Sequence, residues 1–139
     1  EVRGICSLIP GFPGMSDNIE AISIVDNYLE HSRIYIFGNE GDPEVYISSA
    51  DFMTRNLDAR VEVTCPIYDE KIKKELIEIF DIGWKGNVKA RYHSEDLDNK
   101  YRIRNENEPV FRAQFETYNY HLSKVEPIHE NSQSEVIPK

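Results

Sequence analysis

The sequence predicts a mixed α/β (α+β) fold, a sheet with flanking helices. Short β-branched and aromatic runs cluster before residue 66, and apolar residues at helical spacing appear mainly after it. Pro- and Gly-rich breaks separate these runs. The 139 residues, 40% hydrophobic and 29% charged, have the length and balance of one ordinary globular domain.

Residues 2–9 (VRGICSLI) form an apolar run closed by Pro10 and Gly11, and read as a buried strand. PGFPGMSDN over 10–18 is a loop. EAISIV over 20–25 is β-branched and reads as a strand. RIYIF over 33–37 and EVYIS over 44–48 flank GNEGDP, which makes a hairpin with a long loop. Residues 49–59 suit a loop or short helix. RVEVTC over 60–65 alternates as a strand up to Pro66. Asp69 caps a helix over 70–82, with Ile72, Leu76, Ile79 and Phe80 on one face and Gly83 near its end. Residues 87–92 are extended, and Ser94 caps one turn through Leu97. Residues 109–125 place Phe111, Phe115, Tyr118 and Leu122 at helical spacing. Residues 1–125 are thus one domain, and the polar, aperiodic 126–139 are a frayed tail.

The net charge of −9 argues against a nucleic-acid coat, which would need a basic face. Residues 1–65 carry 11 acids, no Lys and only four basic residues, Arg3, Arg33, Arg55 and Arg60. Arginine grips phosphate or carboxylate through a planar fork, so an anionic ligand in a local pocket is compatible with the acidic total. No apolar run approaches the ~18 residues of a membrane span. No signal peptide is evident, and Cys6 and Cys65 lack metal-type spacing, so both are expected as reduced, buried thiols in a cytoplasmic chain. A chain that starts at Glu1 reads as a processed or excised piece.

His31 stands before a strand in His31-Ser32-Arg33, and a period of two puts residues 31 and 33 on one face. An imidazole beside a guanidinium suits phosphoryl chemistry: one moves a proton near neutral pH, the other holds phosphate oxygens. Ser48-Ser49-Ala50-Asp51 follows at the end of the return strand, with Arg55, Asn56 and Asp58 beyond it. Arg60 and Glu62 share a face by the same period. Glu62 is the candidate carboxylate to orient a histidine, or one half of a surface ion pair with Arg60. The sequence has neither a P-loop nor a Gly-x-Gly-x-x-Gly turn, and the acidic Glu95, Asp96 and Asp98 do not form a Ca²⁺ loop.

The runs SIVDNYLEHSRIYIF and SSADFMTRNLD, within residues 2–65, resemble the C-terminal part of bacterial polyphosphate kinase, family 1. The similarity continues more loosely to the last helix, and Phe52 stands where that family usually has Trp. The resemblance implies a phospholipase D-like fold, this chain being the C-terminal part of the second catalytic domain. The superfamily signature His-x-Lys, four residues, Asp is His31-x-Arg33 with Gly38 here, and Gly-Ser-x-Asn is Ser48-Ser49-Ala50-Asp51. These departures weigh against a phosphodiesterase, and the polyphosphate kinases share them.

The resemblance implies reversible transfer of the ATP terminal phosphate to inorganic polyphosphate, through a phosphohistidine in a preceding domain. Mg²⁺ is implied, with its ligands outside this chain. It makes His31 the second active-site histidine, Glu62 its orienting carboxylate, and Arg3, Arg60, Arg33 and Arg55 nucleotide- or phosphate-binding, with Asp51 behind them. ATP, ADP, polyphosphate, the preceding domains and a homo-oligomer are the implied partners, and the isolated piece is expected to be inactive. The alternatives are a phospholipase D-type phosphodiesterase and a polyanion-binding or assembly module without activity.

Overall fold

The hairpin is the strongest strand signal, and it forms as read. In the computed structural model, which describes residues 1–2, 6–93 and 98–125, β2 (Ile34–Phe37) pairs antiparallel with β3 (Glu44–Ser48), placing Ile36 opposite Val45 and Ile34 opposite Ile47. The connection contains one 3-10 turn, Asn39–Gly41, where Gly41 sits at φ 104, a region that favours glycine.

β4 (Thr64–Ile67) completes a three-stranded sheet in the order β2-β3-β4. It starts later than the alternation predicts and runs through Pro66, which lies opposite Tyr46. A serine hydroxyl explains the late start. The Val63 carbonyl still accepts from Ser49 N–H at 2.9 Å and also from Ser48 Oγ at 3.2 Å, but Val63 N–H donates to Ser49 Oγ at 3.0 Å, so a side chain takes the N–H bond that a longer ladder would use. Pro66 is tolerated because β4 is an edge strand, where a missing N–H costs no ladder bond. Cys65 is exposed on this edge and Cys6 is half-buried. Both are free thiols, as expected, but neither is buried.

β1 (Ile22–Ile24) pairs antiparallel with β5 (Ala90–Tyr92) as a separate two-stranded sheet. The strand expected over 2–9 is not found in its described part. Val2 N–H donates to the Ile22 carbonyl at 2.8 Å. Further along, Ser16 Oγ donates to the Ile9 carbonyl and accepts from Phe12 N–H, which closes 9–16 into a loop and leaves Leu8 and Ile9 exposed. Arg3 and the turn expected over 94–97 lie outside the described residues, as does the tail over 126–139.

Helix α1 (Thr54–Ala59) is short. Helix α2 (Glu70–Lys85) starts as predicted: the Asp69 carboxylate accepts from the N–H groups of Lys71 and Ile72, satisfying two donors of the open first turn. It runs past the expected end at 82. Gly83 is buried and lies inside the helix rather than at its stop; a Cβ there would meet only the carboxylate end of the exposed Glu1 side chain.

Helix α3 (Ala113–Lys124) begins four residues after the expected 109. The side chain of Asn87 holds 109–111 extended. It accepts from Phe111 N–H at 2.8 Å and donates to the Pro109 carbonyl at 2.9 Å and to Glu108 Oε1 at 3.0 Å, while its own N–H donates to the Phe111 carbonyl. The apolar stripe of α3 also faces the other way from expectation. Phe115, Tyr118 and Leu122 are exposed, whereas Ala113 and Gln114 are buried and Tyr120 bonds Glu78 of α2. The buried apolar set is small (Ala21, Ile22, Val45, Ala50, Ala90 and Ala113), and α2 packs against both α3 and the three-stranded sheet at β2 and β4. No helix among the described residues is long and apolar enough to cross a membrane.

Candidate active site

The residues at the mouth of the three-stranded sheet are placed by three short segments: the chain entering β2, the turn leaving β3, and the extended piece before β4. Arg33 is the pivot. Its carbonyl accepts from Ser48 N–H at 3.0 Å, which extends the β2–β3 pairing by one residue and fixes the backbone from which His31 projects. Arg33 Nε donates to Asp51 Oδ1 at 2.7 Å, and Nη2 lies 2.8 Å from His31 Nε2. The two side chains meet as the period of two predicts.

A guanidinium has only donors, so His31 Nε2 accepts in this contact. His31 Nε2 also lies 3.7 Å from Asp51 Oδ1, so a protonated ring would find a carboxylate partner there. Asp51 is held below the usual carboxylate range, first by the Arg33 hydrogen bond and then by the Arg33 charge, with lesser help from Asn56 and His31. Arg33 is correspondingly held protonated, by Asp51 first and also by the nearby charge of Glu62.

Glu62 is buried at its carboxylate, with its side chain 11% exposed. Ser49 Oγ donates to its Oε2 in a very short bond, and Arg60 Nε stands 3.2 Å from Oε1. That second contact is ionic rather than an aligned hydrogen bond, since Oε1 has no hydrogen-bond partner. The carboxylate within ion-pair reach of His31 is thus Asp51, while Glu62 bonds Ser49, pairs with Arg60 and acts by charge on Arg33.

Asn56, which sequence reasoning passed over as a ligand of anything, joins the two halves. It is 1% exposed. Its Nδ2 donates to the Asp51 carbonyl at 3.3 Å, and its Oδ1 accepts from Arg60 Nη1 at 3.4 Å. An asparagine on the inner side of a six-residue helix is a poor helix former, and that local mismatch was the one available signal. Tyr35 supports the turn from behind: its hydroxyl donates to the Ala50 carbonyl at 2.6 Å and its ring contacts Phe52.

One contiguous network therefore holds His31, Arg33, Asp51, Asn56, Arg60, Glu62 and Ser49. His31 and Arg60 remain open to solvent at 63% and 58%. Arg55 is exposed on α1 with no hydrogen bond or ion pair to another described residue. Arg3 cannot be placed in the network, being outside the described residues. No three metal-ligating side chains converge among the described residues, so the network does not fit a Mg²⁺ site. Its chemistry is that of guanidiniums and one imidazole facing solvent: it can hold an anion and exchange a proton with it.

The family model described as polyphosphate kinase C-terminal domain 2 matches residues 1–114. A curated polyphosphate kinase of Escherichia coli (strain K12) is 53% identical over 126 residues, 91% of this chain and 18% of that relative. One of Vibrio cholerae is 48% identical over 125 residues, 90% and 18% of the two chains. Among solved structures, that of polyphosphate kinase from Porphyromonas gingivalis superposes with a TM-score of 0.83 at 45% identity, over 87% of this chain and 18% of that one. This agreement is consistent with a phospholipase D-like fold. The chain spans about a fifth of the length of these relatives.

Proposed function

Since the chain belongs to the polyphosphate kinase C-terminal domain family, we propose that it is a catalytic domain of a polyphosphate kinase, spanning residues 1–125, which contributes to reversible transfer of the ATP terminal phosphate to inorganic polyphosphate. The observation that carries this is the His31–Arg33 contact at 2.8 Å, set in a network that leaves the imidazole open to solvent.

The roles follow from charge. A phosphoryl group in transfer spreads negative charge over its oxygens, and fixed guanidiniums stabilise that charge without reorganising. Arg33 and Arg60 supply them, and Arg3 and Arg55 are further phosphate-binding candidates. His31 hands a proton to, or takes one from, a phosphate oxygen. Asp51 and Glu62 hold Arg33 and Arg60 in place and limit the net positive charge. The phosphorylated histidine, the Mg²⁺ ligands and the remaining nucleotide contacts belong to other domains of the same enzyme, so this piece alone does not turn over.

The test is made in the full-length polyphosphate kinase chain that carries this domain. His31→Ala is expected to lower polyphosphate synthesis by at least about 10²-fold, the scale of a lost acid–base group, with the folded state retained. A rate equal to wild type would remove the site. Hydrolysis of a phosphodiester without nucleotide would favour the phosphodiesterase reading instead.

A further inference from the structure

We infer that Arg112 and Gln114, at the start of α3, are positioning residues that set the placement of His31 through the 26–28 turn. This role rests on the phosphoryl-transfer site proposed above. The chain from β1 to β2 crosses residues 25–33 without regular structure, and His31 and Arg33 lie at its far end. Apolar burial does little to hold this crossover, because Tyr28 and Leu29 are 70% and 71% exposed. A segment with so little buried surface opens locally unless polar bonds fix it.

Those bonds come from α3. The Asp26 carboxylate takes a two-pronged contact from Arg112, with Nε 2.8 Å from Oδ2 and Nη2 2.5 Å from Oδ1. Arg112 Nη2 also donates to Asn27 Oδ1 at 3.2 Å. The Gln114 amide then clasps the backbone of Tyr28 from both sides: Tyr28 N–H donates to Oε1 at 3.1 Å, and Nε2 donates to the Tyr28 carbonyl at 2.7 Å. The Asp26 side chain is 1% exposed and Gln114 is buried, so the Asp26 and Tyr28 bonds are partly shielded from water.

Neither residue reaches the reacting groups. Their effect is transmitted along three residues of chain from Tyr28 to His31, whose other restraint is the Arg33–Asp51 pair. Asn87 fixes 109–111 just upstream, so the clasp itself starts from a tethered base.

The experiment uses the full-length enzyme with Gln114→Ala, His31→Ala and the double variant. Hydrogen exchange over residues 27–33 is expected to rise about tenfold or more in Gln114→Ala while exchange in α2 is unchanged. The turnover number should fall about tenfold, since a small misplacement of a catalytic group costs rate, with KM for ATP within about twofold. Adding Gln114→Ala to His31→Ala should lower the residual rate no further. Exchange rising equally in α2, or losses that multiply in the double variant, would show a merely structural role and overturn the inference. If Gln114→Ala does not fold, Gln114→Glu, which keeps the acceptor and loses the donor, carries the same comparison. Wild-type activity in His31→Ala would remove the site reading and this inference with it. A collapse there with unchanged Gln114 variants would remove this inference alone.

Discussion

His31 Nε2 sits 2.8 Å from Arg33 Nη2, so one ring nitrogen faces a cationic donor. The pairing leaves the far side of the ring and the rest of the Arg33 fork for an anion. Arg33 meets this geometry only because it bonds two partners at once, Asp51 through Nε and His31 through Nη2. Lysine has a single point of attachment and cannot span both. Arg33→Lys is therefore expected to keep the fold and to lower polyphosphate synthesis in the full-length enzyme by about ten- to a hundredfold, the range for a lost fixed donor at developing charge. Steady-state rates beside wild type check this, and an unchanged rate would show that the fork is not used.

Asn56 tests the union of the two halves. Its amide is buried and bonded on both sides, to the Asp51 carbonyl and to Arg60. Asn56→Ala leaves the Asp51 carbonyl without this donor and Arg60 with Glu62 as its remaining partner. The expected loss is about 1–3 kcal/mol, the range for stranding a buried polar group. Denaturant unfolding measures it, and a loss under about 0.5 kcal/mol, the scale of an ordinary surface change, would mean the bridge contributes little.

Asp26 gives a pH prediction. Its carboxyl is held below the usual range, first by the Arg112 hydrogen bond, with burial opposing. A carboxylate with a lowered folded value contributes stability that is fully present above its unfolded value of 3.8 and is lost as pH falls through the folded value. Asp26→Asn should therefore be less stable than wild type at pH 7, by about 2 kcal/mol for a partly buried pair. The gap should narrow only below the unfolded carboxyl value. Unfolding curves of both proteins from pH 7 to pH 3 decide it, and a gap that stays constant would assign the loss to packing instead.

Much of this was legible from residue spacing because it depends on local chemistry. The hairpin follows from alternation around a turn, the α2 start from Asp69, and the meeting of His31 with Arg33 from a period of two. What was not legible depends on side chains that capture distant backbone. Ser49 takes the Val63 N–H and shifts β4, Ser16 turns 9–16 into a loop, and Asn87 delays α3. A hydrophobic stripe tells that α3 is a helix, but Phe115, Tyr118 and Leu122 show that it does not tell which face the rest of this chain covers. Asn56 lacked any motif, and its importance appears only once Asp51 and Arg60 are seen on either side of it.

Asn87 supplies the last prediction. Its amide donates to Glu108 Oε1 and to the Pro109 carbonyl and accepts from Phe111 N–H. Asn87→Ala removes all three bonds at a buried position and should cost about 2–3 kcal/mol, with the first turn of α3 exchanging faster. Asn87→Asp keeps the acceptor but sets a carboxylate beside Glu108, whose own carboxyl the Asn87 donor now holds below its usual range. The Asp variant should therefore be the weaker of the two at pH 7 and recover relative to the Ala variant as pH falls toward the carboxyl range. Parallel unfolding curves at pH 7 and pH 4 read the difference, and an Asp variant that gains nothing on acidification would mean that Glu108 turns away from position 87 once the amide is gone.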